Sequence, residues 1–152
     1  MNIKTTLLNF NKHKEKERDL NKKLEELEAD TFNLMIDPGN LVNEFSISIE
    51  RERKWGALSA WIDKYLEDLE IEFDNFEARL WLEMKEKLAK LQKTVKESDI
   101  RSTVKSDPMR KKLLFIISRW RYISSRVKNN YKACTKMSFV LGHLKDILHR
   151  KG

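Results

Sequence analysis

The residues with the clearest chemical capacity in this chain are its cations. With Leu113 as an apolar seam position, Lys112, Arg119 and Arg126 recur at intervals of seven, and Arg121 and Lys128 form a second line at the same interval. On a helix, side chains seven apart lie nearly one above another, so each line is a row of charge. Around them runs Ser118-Arg119-Trp120-Arg121-Tyr122-Ile123-Ser124-Ser125-Arg126. Lys85, Lys87, Lys90, Lys93 and Lys96 precede a turn, Arg101 and Lys105 lie in it, and Arg110, Lys111 and Lys112 follow. Lys and Arg neutralise phosphates and release counterions, while aromatic faces stack unpaired bases. Interleaved aromatics therefore favour a single strand over a duplex. Trp120 falls on the apolar seam and is expected in a core, which leaves Tyr122 and Trp81 as stacking candidates. The plainer reading of a basic helical face, solvated decoration or a surface for an acidic protein, stays open.

Other chemistry is poorly supplied. His13, His143 and His149 stand in no metal-ligand spacing with Cys134, and on a helix His143 and His149 face different directions. The carboxylates cluster on solvated helix faces. There is no glycine-rich phosphate loop and no nucleophile elbow. Cys134 fits a seam position, as a buried structural thiol does. No metal, no cofactor and no enzymatic activity are expected.

The charge is split along the chain. Residues 1–84 hold 12 Lys/Arg and 19 Asp/Glu, a net of −7, whereas residues 85–152 hold 19 Lys/Arg and 5 Asp/Glu, a net of +14. A half this basic is a surface for a polyanion. The single cysteine permits no intrachain disulfide and fits a reducing, intracellular setting. The longest apolar run, Leu113 to Ile117, is far short of the roughly 20 residues of a membrane span. The first residues lack the apolar core and cleavage site of a secretory leader, so a cytoplasmic protein is expected.

These cations need elements to position them. With 36% charged residues, four Gly and two Pro, the composition suits long helices, and the expected fold class is all-α. Asp37-Pro38 and Asp107-Pro108 each read as an N-cap followed by the first helical position. From Asn40 to Gln92 apolar residues recur every three or four positions with a mean near 3.6, as in a straight amphipathic helix. Trp61, Leu66, Trp81 and Leu82 widen that stripe, so it should face more than one partner. From Met109 to Leu148 the steps alternate four and three, a heptad seam of more than five repeats. Asn130 is its one clearly polar position, read either as a register-fixing residue or as a local bend beside Asn129. Gly142, next to the seam, allows a close helix approach. Ser98 reads as the N-cap of a short helix or turn closing a helical hairpin. Residues 1–30 read as a charged helical extension, helical over Glu15–Ala29, weakly packed, with 1–14 disordered. Residues 31–152 read as the hairpin.

Several stretches together resemble the phage recombination mediators of the UvsY type. Met35-Ile36-Asp37-Pro38-Gly39-Asn40-Leu41-Val42-Asn43-Glu44 resembles the family's opening, and Lys54-Trp55 follows at the family's distance. Ala78-Arg79-Leu80 is similar to its central basic-helix motif, with Glu77 where a basic residue is usual. Lys96 to Asp107 resembles its turn segment, and the helix ending near Lys136 to Leu144 has a counterpart. The resemblance runs from about Leu24 to the C-terminus, and its order and spacing carry it.

The resemblance implies a non-catalytic protein that binds single-stranded DNA and assembles into ring-like homo-oligomers of about six or seven subunits. It also implies loading of a RecA-like recombinase onto strands coated by single-strand-binding protein. It assigns Arg79 to DNA binding. The expected strand-binding set is Arg79, Trp81, Lys85, Lys87, Lys93, Arg101, Lys105, Arg110, Lys111, Lys112, Arg119, Arg121, Tyr122, Arg126 and Lys128. The seam residues Ile123, Val127, Asn130, Cys134, Met137, Leu141, Leu144 and Leu148 are expected at the oligomer interface. A coiled-coil scaffold or virion component fits the same seam, as does an adaptor for an acidic partner.

Overall fold

A computed structural model describes residues 3–32, 35–91 and 94–151, the side chains of 3–8 excepted. Every regular element among the described residues is helical: α1 (Ile3–Phe32), a 3-10 turn (Pro38–Asn40), α2 (Leu41–Leu91), α3 (Glu97–Lys105) and α4 (Pro108–Lys151). The all-α hairpin with an extra N-terminal helix is the fold.

Both Asp-Pro pairs start helices. The Asp37 carboxylate accepts from the Gly39 amide at 2.8 Å, and Glu44 accepts from the Asp37 amide at 3.2 Å. Asp107 accepts from the Arg110 amide at 2.9 Å, which caps α4. Ser98 does not cap α3: that helix starts two residues earlier than such a cap would place it, at Glu97, with Lys96 as N-cap and no side-chain bond. Glu97 and Asp99 in its first turn complement the positive end of the helix dipole.

α2 and α4 run antiparallel, in one register from end to end. Phe45 lies against Gly142, Ser138 donates to Ser48, Tyr131 lies against Gly56, Ser124 donates to Asp63, and Arg110 donates to Glu77. A Cβ at Gly142 would come within 3.0 Å of the Phe45 ring, so this glycine does admit a close helix. Between Pro108 and Lys151 α4 is continuous, with no break at Asn129-Asn130.

α1 differs most from expectation. It is helical from Ile3, including the stretch expected to be disordered, and it packs rather than hanging free. Leu20 and Leu24 are buried in the same core as Trp55, Ile62, Ile116, Trp120 and Val127. Thr31 accepts from the fully buried Trp55 indole at 3.0 Å. Burial of such side chains contributes about 1.5–3 kcal/mol each, enough to hold a helix whose surface is mostly charged. The result is a three-helix bundle, with α1 parallel to α4 and antiparallel to α2. Towards the turn a second, smaller core follows, where Ile100 and Val104 of α3 pack on Leu80 with Phe76, Met84 and Leu88 around them. α2 therefore does face several partners, although Leu82 points to solvent.

Candidate nucleic-acid interface

The cations divide into two groups according to their neighbours. Six of the expected strand-binding cations are paired, while outside that set cations such as Lys22, Lys54, Lys132, Lys136 and Arg150 form no ion pair among the described residues. Arg126 donates through Nε and Nη2 to Glu28 at 2.5 and 2.9 Å, and Asn130 donates to the same carboxylate at 3.0 Å. The Arg126 bonds hold Glu28 below its usual carboxylate range and raise the guanidinium's own value. Arg119 pairs with Glu17, which is almost wholly buried. Arg110 is bonded to Glu77 at 2.8 Å and lies over the Phe73 ring, leaving its side chain mostly covered. Arg121 reaches Glu70 at 2.9 Å, Lys128 reaches Asp63 at 3.1 Å, and Arg101 reaches Glu97 at 2.9 Å.

In the lines of seven, Arg119 and Arg126 are therefore engaged within the bundle, Arg121 and Lys128 hold exposed pairs, and Lys112 alone stays free. Arg119 and Arg126 tie α1 to α4, and taking Arg119 away would strand the buried Glu17 charge. The acidic residue at position 77 also finds its role: it anchors Arg110 across the hairpin. The Arg121, Lys128 and Arg101 pairs are solvent-exposed, where such pairs are worth only about 0–1 kcal/mol. A phosphate could compete for those three.

The second group sits at the hairpin end. Arg79, Lys85, Lys87, Lys90, Lys96, Lys105, Lys111 and Lys112 are all exposed, and none forms an ion pair among the described residues. Lys93 lies outside the described residues. These cations come from the last turns of α2, from α3 and from the first turn of α4, which the turn brings together. Lys112 also lies 5.9 Å from the Phe10 ring of α1.

The aromatics divide as well. Trp81 is half-buried in the smaller core and holds α3, so it is not free to stack bases. Trp120 is fully buried, as expected. Tyr122 is 70% exposed and its ring is open, but it stands 14 residues into α4, about 21 Å from the start of that helix. Trp61, not among the expected residues, is 47% exposed and stacked on Tyr65 with ring centroids 5.5 Å apart.

Four of the expected interface residues are also reassigned. Ile123, Val127, Cys134 and Leu141 are buried within the chain, because the seam is filled by α1 and α2 rather than by another subunit. Asn130 belongs to the Glu28 network, and Met137 is half-buried. Leu144 and Leu148 remain exposed, together with Phe139 and Val140. Burial pushes the Cys134 thiol up, consistent with a structural thiol.

One cluster escaped the sequence reading. His13 of α1 bridges the Tyr65 hydroxyl and Glu72, with 3.2 Å to the carboxylate, and Asn9 donates to Glu72 at 3.3 Å. The His13 bond holds Glu72 below its usual range, while burial pushes the Tyr65 phenol up to about 12. That phenol is the opposite of an activated nucleophile, and the cluster joins α1 to α2. Its signal in the sequence was the spacing Phe10, His13, Glu17, Leu20, Leu24, Leu27, Thr31, which is a helix face interrupted by polar residues.

Among the described residues no group of three or more His, Cys, Asp or Glu is placed to hold a metal, and no helix is long and apolar enough to cross a membrane. No protein-family model, curated protein or solved structure matches the chain.

Proposed function

We propose that the hairpin end binds single-stranded DNA through its phosphates, and that the protein acts as a recombination mediator. The observation that carries this reading is the clustering of charge at the turn: eight exposed cations gather there without an ion pair among the described residues, and beside them only Arg101 and Arg110 meet a carboxylate. Eight exposed, unpaired cations on three short stretches suit a polyanion without regard to sequence. The resemblance to UvsY-type mediators supports the further steps, loading of a RecA-like recombinase onto strands coated by single-strand-binding protein.

Self-association belongs to the same reading, because a few exposed contacts per subunit bind weakly and linked sites raise avidity by roughly 10²–10⁴. The surface that suits it is the exposed end of α4, where Phe139, Val140, Leu144 and Leu148 face solvent. Phe139→Glu with Leu148→Glu should dissociate the assembly in sedimentation at unchanged helicity.

Anisotropy of a labelled oligonucleotide, single-stranded and as its duplex, tests the central claim. Preference for the single strand supports it, and equal or absent binding removes it. The same exposed apolar end favours a second reading, a scaffold that assembles through α4. A scaffold would assemble and ignore the oligonucleotide, and would not accelerate recombinase filament formation on a coated strand.

A further inference from the structure

From Lys111 to Lys136 the outward side of α4 carries a single exposed row, stepped alternately by four and three residues. Lys111, Phe115, Tyr122, Lys132 and Lys136 belong to it, with Ser118, Ser125 and Asn129 between them. Such steps place side chains on one face of a helix. This face lies opposite the buried seam of Leu113, Trp120 and Val127 and runs for about 37 Å. It starts among the free cations of the hairpin end. It stops one turn short of Val140, where the apolar end of α4 begins.

Two properties set the face apart. It holds no acid, because α4 has one acidic residue, Asp146, and that lies beyond the row. Of the carboxylates that flank it from α1 and α2, Glu17, Glu28, Asp63 and Glu70 each accept from an α4 cation, and Glu52 accepts from Thr135. Glu25 acts on the Arg126 charge from α1. The aromatics of the face are also open. Phe115 is 54% and Tyr122 70% exposed, two turns and about 10.5 Å apart along the axis. The Arg119 guanidinium lies 5.6 Å from the centre of the Phe115 ring and is itself held by buried Glu17, so that ring is braced while it faces solvent.

The spacing selects the occupant. A partner helix or a bilayer needs a continuous apolar stripe, and here two hydroxyls and an amide interrupt it. Isolated rings set between lysines, with no acid among them, suit a strand whose bases stack one at a time while its phosphates pass alongside. We propose that a single strand bound at the hairpin end continues along this face, with bases stacked on Phe115 and Tyr122 and phosphates meeting Lys132 and Lys136. The path rests on strand binding at the hairpin end, and gives that binding a base-stacking site and a direction along the molecule.

The probes are a labelled thymidine oligonucleotide and an abasic strand of the same length, which keeps the phosphates and lacks the bases. With the full chain, the thymidine strand should bind about 30-fold or more tighter than the abasic one, for two stacked bases. Phe115→Ala with Tyr122→Ala should abolish that preference and leave both the abasic affinity and the salt slope unchanged, whereas Tyr122→Phe should keep the preference. Lys132→Ala with Lys136→Ala should do the converse, flattening the salt slope by about 1.4, at about 0.7 per contact, with the preference retained. Both aromatics are exposed and alanine favours helix, so helicity should hold. Should the double variant lose helicity, Tyr122→Ala alone is read in its place and should reduce the preference about fivefold or more. A preference that survives the aromatic variants, or equal binding of the two strands by the parent, overturns the path while leaving phosphate binding at the hairpin end intact. Binding of neither strand removes both. Release from phosphatidylserine vesicles by the aromatic variants, with the strand unaffected, would assign the face to a membrane and overturn the path as well.

Discussion

Replacing Arg79 and Lys87 by alanine removes two cations that touch no carboxylate among the described residues. Replacing Arg121 and Lys128 removes two of equal charge that each face one. The pairs change net charge identically, so they separate a localised site from a general attraction. If all eight unpaired cations at the hairpin end neutralise a phosphate, log K against log salt has a slope of about −5.6 on a single strand, at about −0.7 per contact. Affinity would then fall roughly 2,000-fold between about 50 and about 200 mM salt. The Arg79 and Lys87 double variant should flatten the slope to about −4.2, a change of about 1.4. The Arg121 and Lys128 variant should stay within about 0.5 of the parent slope, since phosphate contacts there would first have to displace an exposed pair. The assay is anisotropy of a labelled single strand across a salt series at constant pH. Equal changes in the two variants would refute the division of the cations into two groups. A parent slope near zero would refute phosphate binding altogether.

Other outcomes follow from the packing. Leu24→Ala, at a fully buried position, should cost about 2–5 kcal/mol in denaturant unfolding, whereas a loosely attached α1 would make it nearly neutral. Glu28 has its folded pKa lowered below the ordinary 4.5, so its contribution is present above that value and is lost as pH falls through the folded one. Glu28→Gln should therefore lower the melting temperature by a few degrees at pH 7, about 1–2 kcal/mol, and the difference from the parent should shrink steadily as pH falls below the ordinary 4.5. A constant difference across that range would assign Glu28 no linked role. Cys134, buried and with a raised pKa, should react with a thiol reagent at pH 8 only as fast as the bundle opens, and at once in denaturant. Immediate labelling of the folded protein would place the seam in solvent.

How much of this was legible in advance depends on which interactions are local. The boundaries of α2 and α4 were readable within a residue or two, because proline and aspartate act on their own turn of backbone. The antiparallel hairpin followed from two long apolar stripes joined by a short segment. The burial of Trp120 and Cys134 followed from the same stripe. α1 was misjudged because its stripe is thin and interrupted by Glu17 and by His13. Neither residue looks like a core residue until Arg119 or Tyr65 stands opposite. Trp81 was misplaced because nothing local reveals that α3 folds back onto it.

The sequence by itself determined that this chain is helical, where its long helices begin, and how its charge divides between its two halves. Those properties depend on neighbours within a few residues. The tertiary structure alone decided which cations are free. Each of Arg110, Arg119, Arg121, Arg126 and Lys128 finds a carboxylate at least 33 positions away, on another helix. Charge is a property of a residue, whereas availability is a property of its surroundings. Of the expected strand-binding cations, those left free therefore gather at the hairpin end, while Lys132, Lys136, Arg150 and Lys151 stay unpaired among the described residues toward the far end of α4.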